Sequence, residues 1–318
     1  TILVLATGQF GLGWADLSRE MKLNVILLDF GFQDTIDFEK LKETLTADTR
    51  QNIKAVLCAQ TDTASSVHND VKAISRIIEE CKHPALLLVD SIACFGCDPL
   101  EMDNWGVDLM VTACQKGLMT PPGISYCFIG QRALKLSANK DHISPYWNWN
   151  PRINPKIFYE RFYGTAPTHH LFGQRAALDI ILQEGRENVF KRHKVLAGAV
   201  WTAIDKWSKG NIIVPNIENT ANRSTAVTTI RAKGYDLEVL RSWLTKHTGL
   251  ELGRGLGFSE PKYMNGRSVC RIAHMGYINP VMILGALSSI EAGLIACNIP
   301  HGANGISAAS EFIANNAY

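Results

Sequence analysis

The stretch that decides the fold is LLLVDSIACFGCDPLEMDNWGVDLMVTACQKG, residues 86 to 117, in which two apolar, strand-like runs each end in a polar segment. The first run ends at Asp90, and the second, residues 109–114, is followed by Lys116. Open α/β sheets bind ligands at the carboxyl ends of their strands, and Asp and Lys are rarely buried without a partner. The spacing therefore predicts that Asp90 and Lys116 meet in a site, with a surface ion pair as the alternative.

Four further apolar runs have the same character and bring the predicted strands to six. They cover residues 2–7, 24–30, 55–60 and 124–130, and all six runs are apolar on both faces, as strands covered on both sides must be. Between them, apolar residues recur at helical spacing after possible caps, which are Asp34 or Thr35 in one case and Asn69 or Asp70 in another. This alternation predicts an α/β fold with a mainly parallel sheet covered by helices.

The second half of the chain has a different pattern. Residues 170–208 have helical periodicity with a break at Gly185, and three strand-like runs follow among further helical stretches. We therefore expect a large domain in residues 1–185 and a smaller C-terminal α+β domain in residues 186–318. No long Gly/Ser linker separates them, so the two domains should pack through a helix.

The composition narrows the class of partner. The chain has 318 residues, is 46% hydrophobic and carries a formal charge of +2, which gives ample core but no charge excess of the kind that binds nucleic acid or an anionic membrane. The most apolar segment, residues 280–300, has Glu291 at its centre and a helical stripe from Ile283 to Leu294, which predicts a core helix. Small molecules are the expected partners.

The eight cysteines are scattered, several of them within apolar runs, which indicates reduced, buried thiols and a cytoplasmic location. Cys94 and Cys97 form a CxxC pair, but no second pair or His cluster at zinc spacing accompanies it. We predict a structural role for this pair and no metal site.

A lysine and an aspartate at neighbouring strand ends suit one cofactor chemistry in particular. A lysine amine forms a Schiff base with pyridoxal phosphate, and a carboxylate paired with the protonated pyridine nitrogen keeps the ring an electron sink. Lys116 and Asp90 are therefore candidates for these two roles.

The longer stretch LLLVDSIACFGCDPLEMDNWGVDLMVTACQKGLMTPPGISYCFI, residues 86–129, resembles the core of the fold-type I, class V pyridoxal-phosphate aminotransferases, and is most similar to the alanine-glyoxylate and serine-glyoxylate group. The resemblance continues through TDTASSVHND, SPYWNWN, FYGTAP, RIAHMGYIN and PHGANGISAA, so it covers nearly the whole chain. It implies a sheet of the seven-stranded type, pyridoxal 5'-phosphate as cofactor, and a homodimer that shares its active site between subunits.

The resemblance assigns roles to seven residues. They are Lys116 as the Schiff-base lysine and proton carrier, Asp90 at the pyridine nitrogen, Phe10 stacked on the ring, Thr63 at the phenolic oxygen, Gln115 and Thr165 at the phosphate, and Arg271 at the substrate carboxylate. Thr165 would reach across from a second subunit. Packing for Phe10, a turn or helix cap for Thr63 and a structural ion pair for Arg271 are the alternatives. His169, His170 and His274 are expected to be hydrogen-bonded neighbours.

Three positions depart from the family pattern, and so does the start of the chain. Ser66 stands where relatives usually have Gly, Cys114 where many have a phosphate-binding Ser, and Phe162 where some have a Tyr that reaches the partner's phosphate. Relatives carry, ahead of the segment matched by TILVLATG, a stretch that holds the phosphate at a helix N-terminus. We therefore expect a missing upstream segment and an uncovered sheet edge near residues 1–7.

The implied activity is transfer of the amino group of serine or alanine to a small 2-oxo acid, glyoxylate. Aspartate-glyoxylate and pyridoxamine-pyruvate transamination are alternatives within the same class. A truncated, non-catalytic homologue that acts as a scaffold is the alternative from a different class.

Overall fold

The computed structural model describes residues 1–138 and 143–316. A six-stranded sheet with the order β2-β1-β3-β4-β5-β6 forms its N-terminal part. The strands are β1 (Ile2–Ala6), β2 (Val25–Asp29), β3 (Ala55–Ala59), β4 (Leu86–Asp90), β5 (Leu109–Ala113) and β6 (Ser125–Ile129). The first five are parallel and β6 is antiparallel to β5. The predicted α/β class and all six strands are confirmed, each strand end within one residue of its predicted limit. The described residues place six strands in this sheet, where the family resemblance implies seven.

The edges of the sheet differ from expectation. β1 pairs with both β2 and β3, and its residues Leu3 to Ala6 are buried, so the prediction of an uncovered edge near residues 1–7 is wrong. The edge strands are β2 and β6, where Ile26 and Phe128 are exposed. Several side chains of β2 and β6 are exposed or only partly buried, so the prediction that all six strands are covered on both faces is wrong for these two.

Helices cover both faces of this sheet. They are α1 (Gln9–Glu20), α2 (Phe38–Ala47), α3 (Val71–Glu80) and α4 (Gln131–Ser137). The cap of α2 is Asp37, whose side chain accepts from the backbone of residues 39 and 40. The predicted caps Asp34 and Thr35 are wrong, because the helix begins only at Phe38 and both residues lie too far ahead of it. Asp70 caps α3, as one of the two predicted residues.

The C-terminal part contains a four-stranded antiparallel sheet with the order β7-β8-β10-β9. Its strands are β7 (Ile213–Pro215), β8 (Val227–Ala232), β9 (Gly253–Arg254) and β10 (Val269–Ala273). The remaining helices are α5 (Trp149–Ile153), α6 (Thr168–Glu184), α7 (Arg186–Trp207), α8 (Leu237–Thr248), α9 (Pro280–Ala296) and α10 (Gly305–Asn315). Gly185, with φ of 85°, separates α6 from α7 at the predicted break.

Each sheet has its own apolar core. Residues of β1, β3 and β4 pack with α2 and α3 on one face of the first sheet and with α1 on the other, whereas α7, α8 and α9 enclose the second core. The apolar segment 280–300 is the helix α9, and Ile283, Leu287, Ile290 and Leu294 are buried as predicted. No helix in the described residues is long and apolar enough to cross a membrane. The division into domains at residue 185 stays a prediction.

Candidate active site

The centre of the candidate site lies at the carboxyl ends of β4 and β5. The two strands are parallel neighbours, with Asp90 in register with Val111, so the segment that leaves β5 and carries Lys116 passes the end of β4. The charge of Asp90 acts on Lys116, and that of Lys116 acts on Asp90. The structure therefore brings Asp90 and Lys116 together, as the sequence predicted.

The Asp90 carboxylate is 8% exposed and has a hydrogen-bond donor on each oxygen. The backbone N–H of Ile92 donates to Oδ1 at 2.8 Å, and the indole Nε1 of Trp14 donates to Oδ2 at 3.0 Å. Burial raises the pKa of Asp90, and both hydrogen bonds and the Lys116 charge oppose that rise. The carboxylate keeps free lone pairs for a further donor.

The main chain around Lys116 is fixed by close packing. Any side chain at Gly117 would collide with the carbonyl of Phe95 and press on Cys97. Cys94 and Cys97 are free, fully buried thiols in the turn that contacts this backbone. Within residues 1–138 and 143–316, no group of three or more His, Cys, Asp or Glu side chains is placed to hold a metal ion.

Helix α7 supports the lysine from the other side. His193 Nε2 accepts from the N–H of Gly276 at 3.0 Å, and Arg192 Nη1 donates to the Gly276 carbonyl at 2.9 Å. Gly276 has φ of 85°, and a Cβ there would lie 3.3 Å from the Lys116 carbonyl oxygen. The two α7 side chains thus hold Gly276, in its left-handed conformation, against the backbone of Lys116.

The Lys116 amine has no hydrogen-bond acceptor in the part of the chain that the structure describes. Burial is the main cause that lowers the pKa of Lys116, and the positive charge of Arg271 lowers this pKa further. The negative charge of Asp90 raises it. An amine with a lowered pKa is more often neutral and hence nucleophilic at neutral pH.

Arg271 approaches from β10 in the second sheet. Its Nε donates to the Arg254 carbonyl at 2.8 Å and its Nη1 to the Thr63 carbonyl at 3.2 Å. Gly253, opposite Arg271 in the β9–β10 register, leaves room for the side chain, because a Cβ there would lie 3.2 Å from Nε and Nη2. Burial lowers the pKa of Arg271, and the charge of Asp62 opposes this.

Asp62 organises the start of helix α1. Gly8, the residue at the helix N-cap, offers no side-chain hydrogen bond, and Asp62 Oδ2 accepts instead from the N–H groups of Phe10 and Gly11 at 2.8 and 3.0 Å. Oδ1 accepts from Ala64 at 3.0 Å. Phe10 is thereby fixed at its backbone while its side chain remains 41% exposed, so a ring face is available to a ligand.

The segment 62–66 joins the two halves of the site, because Asp62 contacts the start of α1 and the residues after it contact the C-terminal part of the chain. The Thr229 hydroxyl donates to Ala64 O at 3.0 Å, and Asn216 Nδ2 donates to Ser65 O at 2.8 Å. Ser66 has φ of 62°, a conformation that favours Gly, and its hydroxyl accepts from the Thr229 N–H at 3.1 Å. Serine is thus less favourable than glycine for this backbone conformation, but its hydroxyl forms a hydrogen bond that joins the segment 62–66 to β8.

The other predicted residues are less closely connected. Thr63 is buried beside Asp62, Gln115 precedes the lysine and is exposed, and Thr165 is exposed ahead of α6. Cys114 Sγ lies 3.1 Å from Pro121 O and accepts from Ile124 N at 3.3 Å, so this thiol closes its own loop. The phosphate roles of Gln115 and Thr165 stay predictions.

The predicted histidines have hydrogen-bonded surroundings where the structure gives contacts. His170 Nε2 lies 3.1 Å from Pro122 O, and fully buried His274 contacts the Thr228 hydroxyl and the Thr225 carbonyl, each at 2.8 Å. Two residues of the site were missed by sequence reasoning, Asp62 and Trp14. Asp62 could have been found as a carboxylate just after the strand at 55–59, whereas nothing in the sequence links Trp14 to Asp90.

These groups fit pyridoxal phosphate, which supplies an aldehyde that condenses with amines and a ring that draws electrons when its nitrogen is protonated. The unpartnered Lys116 amine suits the aldehyde, Asp90 with its spare lone pairs suits the ring nitrogen, and the open face of Phe10 suits the ring. The fold and these groups are those of the pyridoxal-phosphate-dependent enzymes.

Comparisons with known proteins agree. A family model described as Aminotransferase class-V matches residues 2–280. The serine-glyoxylate aminotransferase of Methylorubrum extorquens is 32% identical over 99% of this chain and 77% of its own length. The L-aspartate-glyoxylate aminotransferase of Paracoccus denitrificans is 31% identical over 98% of this chain and 76% of its own.

A solved structure supports the fold independently. Pyridoxamine-pyruvate aminotransferase from Mesorhizobium loti superposes with a TM-score of 0.87 at 24% identity, over 100% of this chain and 79% of that one. The chain belongs to the class-V aminotransferase family and is a transaminase dependent on pyridoxal 5'-phosphate.

Proposed function

We propose that this aminotransferase transfers the amino group of serine or alanine to glyoxylate, with Lys116 as the lysine that carries the cofactor and moves the proton. The observation that carries the proposal is the convergence of Lys116, Asp90 and Arg271 at one edge of the sheet. The similarity to serine-glyoxylate aminotransferase supports the choice of substrates.

Each residue has a defined task in this proposal. Asp90 pairs with the ring nitrogen, Phe10 stacks on the ring, Thr63 contacts the phenolic oxygen, and Arg271 holds the carboxylate of donor and acceptor in turn. Gln115 of the same subunit and Thr165 of a second subunit complete the phosphate site.

The proposal includes a homodimer in the cytoplasm. Large apolar side chains are exposed at Trp147, Phe158, Phe172 and Leu182, around the segment that contains Thr165, and such a surface favours a protein partner. All eight cysteines are free, which suits a reducing compartment. Sedimentation of the holoenzyme should give twice the chain mass of 35.1 kDa, and a monomer that retains full activity would exclude a shared site.

Borohydride reduction of the holoenzyme followed by peptide mapping tests the role of Lys116. We expect the cofactor on the peptide with Lys116 and none in Lys116→Ala, which should lose turnover by several orders of magnitude. Lys54→Ala, an exposed lysine at the opposite end of the sheet, is the control. Label on another lysine would refute the assignment.

Steady-state assays then identify the substrates. Serine, alanine, aspartate and pyridoxamine are compared as amino donors, with glyoxylate and pyruvate as acceptors. The highest kcat/KM is expected for serine or alanine with glyoxylate. A clear preference for aspartate, or for pyridoxamine with pyruvate, would replace the proposed substrates, and a protein that binds no cofactor would support a scaffold.

A further inference from the structure

Trp14 makes a contact that the proposed site does not yet use. It lies in the second turn of α1, partly buried against the apolar cluster on that face of the sheet, and its indole N–H donates to Asp90 Oδ2 at 3.0 Å. The two residues are 76 positions apart. A tryptophan needed only for packing would not require its single polar atom to face a buried carboxylate.

The indole is held rigidly in this place. Asp62 anchors the first turn of α1 through two backbone N–H groups, and buried Ala15, next to Trp14, packs α1 against the sheet. The carboxylate is held as well, since Ile92 donates to its other oxygen at 2.8 Å. The geometry leaves the remaining lone pairs of Asp90 to a group in the site.

The chemistry of a shared proton gives this contact a purpose. A proton between a ring nitrogen and a buried carboxylate resides on whichever is more basic, and burial makes a carboxylate more basic. Hydrogen bonds to the ionised form act the other way, and Trp14 and Ile92 each supply one. Removing the indole donor therefore favours transfer of the proton from the ring to Asp90.

We propose that Trp14 is a positioning residue for the cofactor, whose indole N–H holds the Asp90 carboxylate ionised and so keeps the shared proton on the ring nitrogen. The inference rests on the proposed role of Asp90. The role of Trp14 concerns the electron-withdrawing power of the ring and not the binding of substrate. Loss of the indole N–H should therefore lower kcat more than it changes KM.

The test uses holoenzyme loaded with pyridoxal phosphate that is ¹⁵N-labelled in the ring. The ¹⁵N resonance of the wild type is expected at the protonated position, and Trp14→Phe should move it toward the unprotonated one and lower kcat about tenfold or more. Trp14→His, which can retain an N–H donor, should partly restore both the position of the ¹⁵N resonance and kcat. Trp201→Phe is the matched control, because Trp201 donates its indole hydrogen bond to the Thr228 hydroxyl, and it should leave the resonance unchanged.

A cofactor analogue with carbon in place of the ring nitrogen separates this role from packing. Trp14→Phe should bind pyridoxal phosphate several-fold more weakly than the wild type but bind the analogue equally well. An unchanged resonance in Trp14→Phe, or equal losses of affinity for both cofactors, would overturn the proposal. Asp90→Asn distinguishes failure of the role proposed for Trp14 from failure of the role proposed for Asp90. A wild-type ¹⁵N resonance in Asp90→Asn would refute the role of Asp90 itself.

Discussion

The Arg271 guanidinium uses two of its N–H donors inside the protein, on the carbonyls of Arg254 and Thr63. Arginine has five such donors, so three have no acceptor among residues 1–138 and 143–316 and can serve a ligand beside the Lys116 amine. Both protein contacts orient the planar group, and both come from backbone carbonyls that cannot neutralise it. The residue is thus held in place yet keeps its charge for a carboxylate.

Arg271→Lys should raise KM for the amino donor and for the oxo acceptor by roughly 10- to 100-fold, because an ammonium cannot reproduce a bidentate grip. Separate measurement of the two half-reactions checks this. Arg267→Lys, an exposed arginine paired with Asp236, should behave as the wild type. An effect on one half-reaction alone would show that Arg271 contacts a side chain or an interface instead.

At the scale of secondary structure elements, helix α1 brings two site residues into position at once. Its first turn holds Phe10 and its second turn holds Trp14, and its start is capped from a different segment of the chain, by Asp62. Burial raises the pKa of Asp62, and the backbone N–H groups that it accepts from oppose the rise. The cap therefore fixes the helix and also places a carboxylate where it can act on Arg271.

Asp62→Asn should destabilise the protein by about 1–3 kcal/mol, because an amide group would turn a donor toward backbone N–H groups in a buried place. It should also weaken cofactor binding, since Phe10 begins the same helix. Urea unfolding and cofactor titration measure the two effects.

Asp37→Asn is the matched control for the cap. Asp37 caps α2 in an exposed position, so its loss should cost at most about 1 kcal/mol and leave cofactor affinity unchanged. Equal cofactor affinity in Asp62→Asn and the wild type would show that the start of α1 does not position the ring.

At the scale of the whole molecule, stability should depend on the protonation of buried histidines. His274 Nδ1 faces the Thr225 carbonyl and so carries the proton, while Nε2 faces the Thr228 hydroxyl. Burial lowers the pKa of His274 to about 4, from an ordinary value of 6.5. The folded state therefore binds fewer protons than the unfolded state between these two values.

The stabilisation from neutral His274 is fully present above about pH 6.5 and is lost as the pH falls toward about 4. A shift of this size corresponds to roughly 3 kcal/mol. Urea unfolding at a series of pH values should show this decline, and His274→Gln should show a flatter one. His247→Gln, at an exposed histidine of α8, should leave the slope unchanged, and a slope equally steep in His274→Gln would contradict the prediction.

The sequence by itself determined the strands of the first sheet and the meeting of Asp90 with Lys116. The six strands could be predicted because apolar runs of strand length, separated by helical periodicity, leave few other arrangements. Asp90 and Lys116 could be predicted because the carboxyl ends of parallel strands must meet at one edge. Arg271, Phe10 and Thr63 were assigned by resemblance to a family.

The tertiary structure alone decided what holds these residues in place. Trp14 and Asp90 are 76 residues apart, and Phe10 and Asp62 are 52 apart, and no periodicity or local propensity encodes which distant donor a side chain will meet. The same holds for Ser66 and Thr229, whose hydrogen bond joins the segment 62–66 to β8. Local pattern fixes which face of an element is buried, but a hydrogen bond between distant segments depends on how whole elements pack, and only the folded chain sets that geometry.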